Sequence, residues 1–124
     1  MRTKRELVGA ALGQLRIVGV GETPSAEDYA EVAGHYDDLV AELADVGLCY
    51  WPNTGNDIEE IPPAVFRALA AILTHDASDS FGKEPGEVQG DDGRMVSNRV
   101  YGLRQLRRHI SRRPSGEATP FSSY

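Results

Sequence analysis

Three histidines, one cysteine, two adjacent glutamates and a run of arginines are the residues in this chain able to do more than pack. His35, His75 and His109 are far apart in sequence, and none belongs to an HExxH-type pair whose spacing would set two imidazoles on one helix face around zinc. His75-Asp76 has the form of half a metal or acid-base site. A histidine near a helix C-terminus is also favoured there as a cation by the helix dipole, and this is the better reading. Glu59 and Glu60 next to Pro62 suggest paired acid-base carboxylates, but sequence neighbours point in different directions, so charge at a helix start explains them better. A hydrolase working through either glutamate needs a second carboxylate that the sequence does not place. Cys49 is the only cysteine, which excludes an internal disulfide and a thiolate cluster; between Leu48 and Tyr50 it reads as a small apolar residue. Gly19 and Gly21 lack the following GK[ST] and the preceding strand of a phosphate loop. The expectation is a protein that is not an enzyme, with no catalytic, metal or cofactor-binding residues.

The arginines carry more. Arg104, Arg107, Arg108, Arg112 and Arg113 spread around a helix outside its Leu103, Leu106 and Ile110 stripe. Such a set docks on an acidic protein surface, lies solvated on a helix face, or contacts DNA phosphates, and we rank the readings in that order. No helix-turn-helix pair precedes the segment to make it a recognition helix, and arginine is enriched at protein interfaces. Two aromatic residues that could anchor in a partner's pockets, Phe121 and Tyr124, follow the arginines. The charge pattern of the chain agrees. Residues 1–21 carry four basic side chains and one acid; residues 22–92 carry seventeen acids against Arg67 and Lys83; residues 93–124 carry seven arginines and one acid. The overall charge of −6 therefore hides a middle segment of net −15 flanked by segments of +3 and +6. That layout disfavours general nucleic-acid binding by the body and suits self-association or a partner with complementary patches.

The elements that must position these residues are helical. At 124 residues the chain has room for one modest core. No apolar run approaches the roughly 20 residues that span a bilayer, and the opening residues lack a signal-peptide core, so synthesis in the cytoplasm is expected. Thr3 and Glu6 form a capping box ahead of Leu7, Val8, Ala11, Leu12 and Leu15, predicting helix one over about 4–16, broken by Gly19 and Gly21. Ser25 is the N-cap of helix two, about 26–46, with Glu27 and Asp28 in its first turn and Gly47 as its left-handed terminator. Leu48–Trp51 is read as a short extended segment and 52–57 as a loop. Ile61-Pro-Pro63 opens helix three, which Gly82 ends. Residues 83–94 are left open between helix and loop, and helix four is predicted from Met95 to Pro114. The reading is an all-α, four-helix bundle-like domain over 1–113 with a flexible C-terminal tail over 114–124, too poor in apolar residues to fold alone.

Four ordered landmarks resemble a known family. Ala10-Ala-Leu-Gly-Gln-Leu-Arg-Ile-Val-Gly-Val-Gly-Glu-Thr-Pro-Ser-Ala-Glu-Asp28 is similar to the start of phage head-to-tail adaptors, also called tail accessory factors, head completion proteins or head-tail connectors. There a first helix ends in an Ile/Val-Gly segment, a capped long helix follows with an aromatic after it (Tyr50-Trp51 here), an Ile-Pro pair opens helix three (Ile61-Pro62) and Phe-Gly closes it (Phe81-Gly82). The resemblance covers about residues 5–82. It implies a homo-oligomeric ring, commonly of twelve copies, bound to the portal protein at the head-tail junction of the virion after DNA packaging. Such a ring prevents genome leakage and offers a platform for tail or nozzle proteins, and it assembles in the host cytoplasm. Packaged DNA would pass an acidic wall without sequence-specific binding, since like charges disfavour phosphate contact. The alternative is a small helical DNA-binding or regulatory protein that uses the arginine-rich fourth helix.

Overall fold

A computed structural model of the chain describes residues 2–19, 22–53, 56–84, 86–90 and 92–111. Among them are four α-helices, α1 (Lys4–Gln14), α2 (Ala26–Asp45), α3 (Pro63–Ser78) and α4 (Asn98–Ser111). Two short antiparallel ladders accompany them: β1 (Arg2–Thr3) pairs with β2 (Glu60–Ile61), and β3 (Glu87–Gln89) with β4 (Met95–Ser97). The chain is mostly helical, as its periodicity predicts. No described helix is long and apolar enough to cross a membrane. The tail over 114–124 and Arg112 and Arg113 lie outside the described residues.

The helix starts follow the sequence closely. Thr3 Oγ1 accepts from the Glu6 N–H at 3.2 Å, and Ser25 Oγ accepts from the Asp28 N–H at 3.2 Å, each filling one of the orphan donors of a first turn. The capping box at Thr3 is only half made, because the Glu6 carboxylate turns to Arg2 at 2.8 Å. Pro63 at the first position of α3 removes an N–H that would have no partner.

The core collects on α3. This helix touches each of the other three, and Val65, Leu69, Ile72 and Leu73 on it are fully buried. Leu7, Val8 and Leu12 of α1 and Val32, Tyr36, Leu39 and Leu43 of α2 close one side of that core. On α4, Gly102 and Leu106 are the buried residues. Gly102 sits so tightly on α3 that an added Cβ would lie 2.6 Å from the Ala68 carbonyl oxygen and 2.5 Å from Ile72 Cγ1. Only glycine allows this approach of the two backbones.

The structure departs from the predicted elements chiefly just before helix four. Glu87–Gln89 and Met95–Ser97, expected as helix or loop and as the start of helix four, pair as the β3–β4 ladder, with Val88 opposite Val96. Helix four therefore starts at Asn98 and not at Met95, capped by Ser97 Oγ, which accepts from the Val100 N–H at 3.2 Å. Leu48–Trp51, read as a short extended segment, joins neither ladder, and its Leu48 and Trp51 are buried. α1 ends at Gln14, within two residues of the expected end at Arg16, and Arg16 itself takes a left-handed backbone with φ 61°.

Candidate functional site

The docking residues expected from sequence are partly brought together. On α4, Gly102 and Leu106 face α3, and Arg104, Arg107 and Arg108 are exposed. Arg104 and Arg108, one turn apart, border a depression of about 290 Å³ with Tyr101 and Gln105, opposite Gly90 and Asp92 of the hairpin loop. Among the described residues neither Arg104 nor Arg107 makes an ion pair. Arg112, Arg113, Phe121 and Tyr124 lie outside the described residues.

Not every arginine of this segment faces outward. Arg99 donates from one guanidinium nitrogen to both oxygens of Asp76, at 2.7 and 2.6 Å, and from the other to the Glu42 carboxylate. This ties the start of α4 to the end of α3 and to α2. Burial disfavours the charged guanidinium, but the bonds to Asp76 and then Glu42 outweigh it and hold the Arg99 pKa above its ordinary value. A cation in the first turn of a helix opposes the dipole, so Arg99 needs a carboxylate partner; a helix begun at Met95 hides that position, and the start at Asn98 reveals it. Lys4 repeats the pattern. It is 2% exposed in the first turn of α1, and its ammonium pairs with Asp37 of α2 at 2.9 Å and lies 5.4 Å from the Tyr36 ring centroid.

Among the residues weighed for catalysis, His75 keeps a buried Nδ1 with no hydrogen-bond partner among the described residues. His75 Nδ1 lies 3.5 Å from Asp76, but Asp76 is held by Arg99. Folding places His35 and His75 on one shallow depression of about 430 Å³ with Asp38, Glu42 and Asp79. His35 Nε2 is 2.8 Å from Ser80 Oγ, and no group of three or more ligands able to hold a metal ion occurs among the described residues. Glu59 and Glu60 part company as adjacent residues must. Glu59 is buried, and Glu60 is exposed on β2, not on the first turn of α3 where a helix-start charge was expected. Cys49 is half-buried and donates to the Trp51 carbonyl at 3.3 Å; burial pushes its thiol pKa up, which suppresses the thiolate.

A second feature was not read from the sequence. The Trp51 indole N–H donates to Tyr36 Oη at 3.2 Å, and Tyr50 stacks edge-on to Trp51 at 5.2 Å. Tyr50 Oη is also 3.0 Å from His109 Nε2 near the end of α4. Burial pushes the Tyr36 hydroxyl well above its usual range, so it stays protonated while it accepts from Trp51. Beside this aromatic chain opens a groove of about 440 Å³ lined by Tyr50, Trp51, Pro52, Ile58 and Pro62 together with the polar Asn56, Glu59 and Glu60.

Comparison of the chain with family models, with curated proteins and with solved structures found no match.

Proposed function

We propose that the chain is a structural head-to-tail connector of a tailed phage or phage-like particle. In this reading copies form a ring on the portal after DNA packaging, close the channel and present the attachment platform for tail or nozzle proteins. Its body is a four-helix bundle-like unit, and its work is assembly and not catalysis. One observation carries the proposal: the exposed arginines 104, 107 and 108 on α4 are matched, within the same chain, by exposed carboxylates Glu27, Glu31, Asp38 and Asp45 on α2. A surface that complements a different surface of its own copy makes a head-to-tail contact, and such contacts close into rings when the rotation per copy divides a full turn. The ordered landmarks shared with head-to-tail adaptors support the same reading and supply the portal as partner.

The test is attachment. Changing Arg107 and Arg108 to Glu should leave the circular dichroism spectrum unchanged and reduce co-sedimentation with purified portal rings at least tenfold. Undiminished attachment of a folded variant would remove α4 from the portal-facing surface. The exposed arginine face also favours a second reading, a DNA-binding regulator, which direct DNA titration separates from the first.

A further inference from the structure

We infer that residues 112–124 fold back onto their own chain and seat Phe121 in the Trp51 groove, with Arg112 and Arg113 on its carboxylate side. The contact goes beyond the connector reading and stands whether or not the chain attaches to portal rings.

The groove is a surface that gains by being covered. Ile58 is 65% exposed and lies beside Tyr50, Trp51, Pro52 and Pro62. Adjoining apolar side chains left in water favour whatever covers them. The wall is also rigid, because the Trp51 indole is bonded to Tyr36 and the proline rings fix their own backbone angles. About 440 Å³ has room for an aromatic side chain and falls in the range of small-ligand sites. The lining adds charge through Glu60, which is exposed and makes no ion pair among the described residues.

The end of α4 delivers the segment to this groove. Tyr50 forms one wall, and its hydroxyl oxygen is 3.0 Å from His109 Nε2, with the two rings 5.9 Å apart. The chain thus leaves α4 at Ser111, two residues past a side chain already in contact with the wall. Arg112 and Arg113 come next and match the Glu60 carboxylate. Phe121 follows ten residues after Ser111, a span of up to about 33 Å. Reach therefore does not limit the return of its ring to a wall that begins beside His109. Proximity also decides between this segment and that of another copy. A short flexible connection holds a ligand at an effective concentration on the order of millimolar. Another copy competes for the groove only when the chain itself approaches that concentration. Below it, each chain fills its own groove, and Phe121 is stowed until something displaces it.

Nuclear Overhauser spectra of the unmodified full chain test this without the portal. In a uniformly isotope-labelled sample the Phe121 ring should give cross-peaks to the Ile58 methyl groups. An equal mixture of labelled and unlabelled chains, recorded with an isotope filter that passes only contacts between copies, should give none. Two variants that fold like the parent by circular dichroism add a second readout. Phe121→Ser should shift the Ile58 methyl signals and leave those of the buried Leu69 and Leu73 in place. Ile58→Asp, at an exposed position, should abolish the cross-peaks of the Phe121 ring to the groove. Cross-peaks in the filtered spectrum would give the groove to a neighbouring copy, and their absence from both spectra would leave the segment off the groove. Either result overturns the assignment, as would Ile58 signals that ignore the loss of Phe121.

Discussion

Lys4 and Arg99 share an unfavourable position, the first turn of a helix, where the dipole repels cations, and both are held there by a carboxylate from another helix. The two ends of the Lys4–Asp37 pair differ in burial: the Lys4 side chain is 3% exposed and that of Asp37 48%. Removing the exposed partner strands a buried ammonium; removing the buried one leaves a carboxylate that water can solvate. Asp37→Ala should therefore cost on the order of 2–3 kcal/mol, less than a fully buried pair because Asp37 is half in water, and Lys4→Met less than about 1 kcal/mol. Urea unfolding of both variants measures the asymmetry, and equal losses would show that the ammonium is not the group in need of its partner. Sequence alone could flag Lys4 as misplaced, but not Arg99 in a helix read from Met95, and it could find the partner of neither. Asp37 lies 33 residues from Lys4, and Asp76 and Glu42 lie 23 and 57 residues from Arg99. The arginine-rich segment consequently looks uniform in sequence, although folding divides it into one internal tie at Arg99 and an outward face.

Three helical segments close in the same way, and only two use the expected residue. After α2, the Leu48 N–H reaches the Leu43 carbonyl and the Gly47 N–H that of Ala44; after α3 and its final tight turn, Lys83 reaches Ser78 and Gly82 reaches Asp79. Gly47 and Gly82 carry the left-handed backbone that this closure needs, with φ of 77° and 67°. After α1, Ile17 reaches Leu12 and Arg16 reaches Gly13, so the left-handed residue is Arg16. A side chain at such an angle costs about 1–2 kcal/mol, of which glycine's greater freedom in the unfolded chain returns part. Arg16→Gly should raise stability by about 0.5–1 kcal/mol, read as a higher urea midpoint at unchanged slope; a lower midpoint would mean that the Arg16 side chain holds something in place. Glycine-ended helices are legible in the sequence for this reason; at α1 the sequence places the end within two residues but points to Gly19 and Gly21, not Arg16, as the break. The β3–β4 hairpin escaped notice for another. Strands of three residues are too short to show a two-residue alternation, and Met95 and Val96 happen to continue the helical spacing of Val100 and Leu103 backwards. The glycines at 90 and 93 serve the turn: the Gly90 N–H and carbonyl bond Arg94 and Gly93 across it, and Gly93 has φ 82°.

For the whole molecule, the separation of charge decides which large partners are allowed. Residues 22–92 carry net −15, and much of that charge is exposed along α2, whereas the exposed arginines of α4 within the described residues are three. Duplex DNA is a dense line of phosphates, and its long-range field acts on the whole protein before any contact forms. The acidic body thus opposes approach, and the arginines can offset this only where α4 meets the duplex end-on to the rest. Three phosphate contacts give a salt slope of about −3, which leaves little binding at physiological ionic strength. Fluorescence anisotropy with a labelled duplex should accordingly show no saturable binding at physiological salt, and at low salt only weak binding that ignores sequence. A carboxylate patch of limited extent lowers this repulsion without changing its sign, because it attracts the same arginines without a long line of phosphates facing the acidic α2. Sub-micromolar, salt-steep DNA binding would mean that α4 and the residues after it act free of the acidic body, and the regulator reading would then replace the connector.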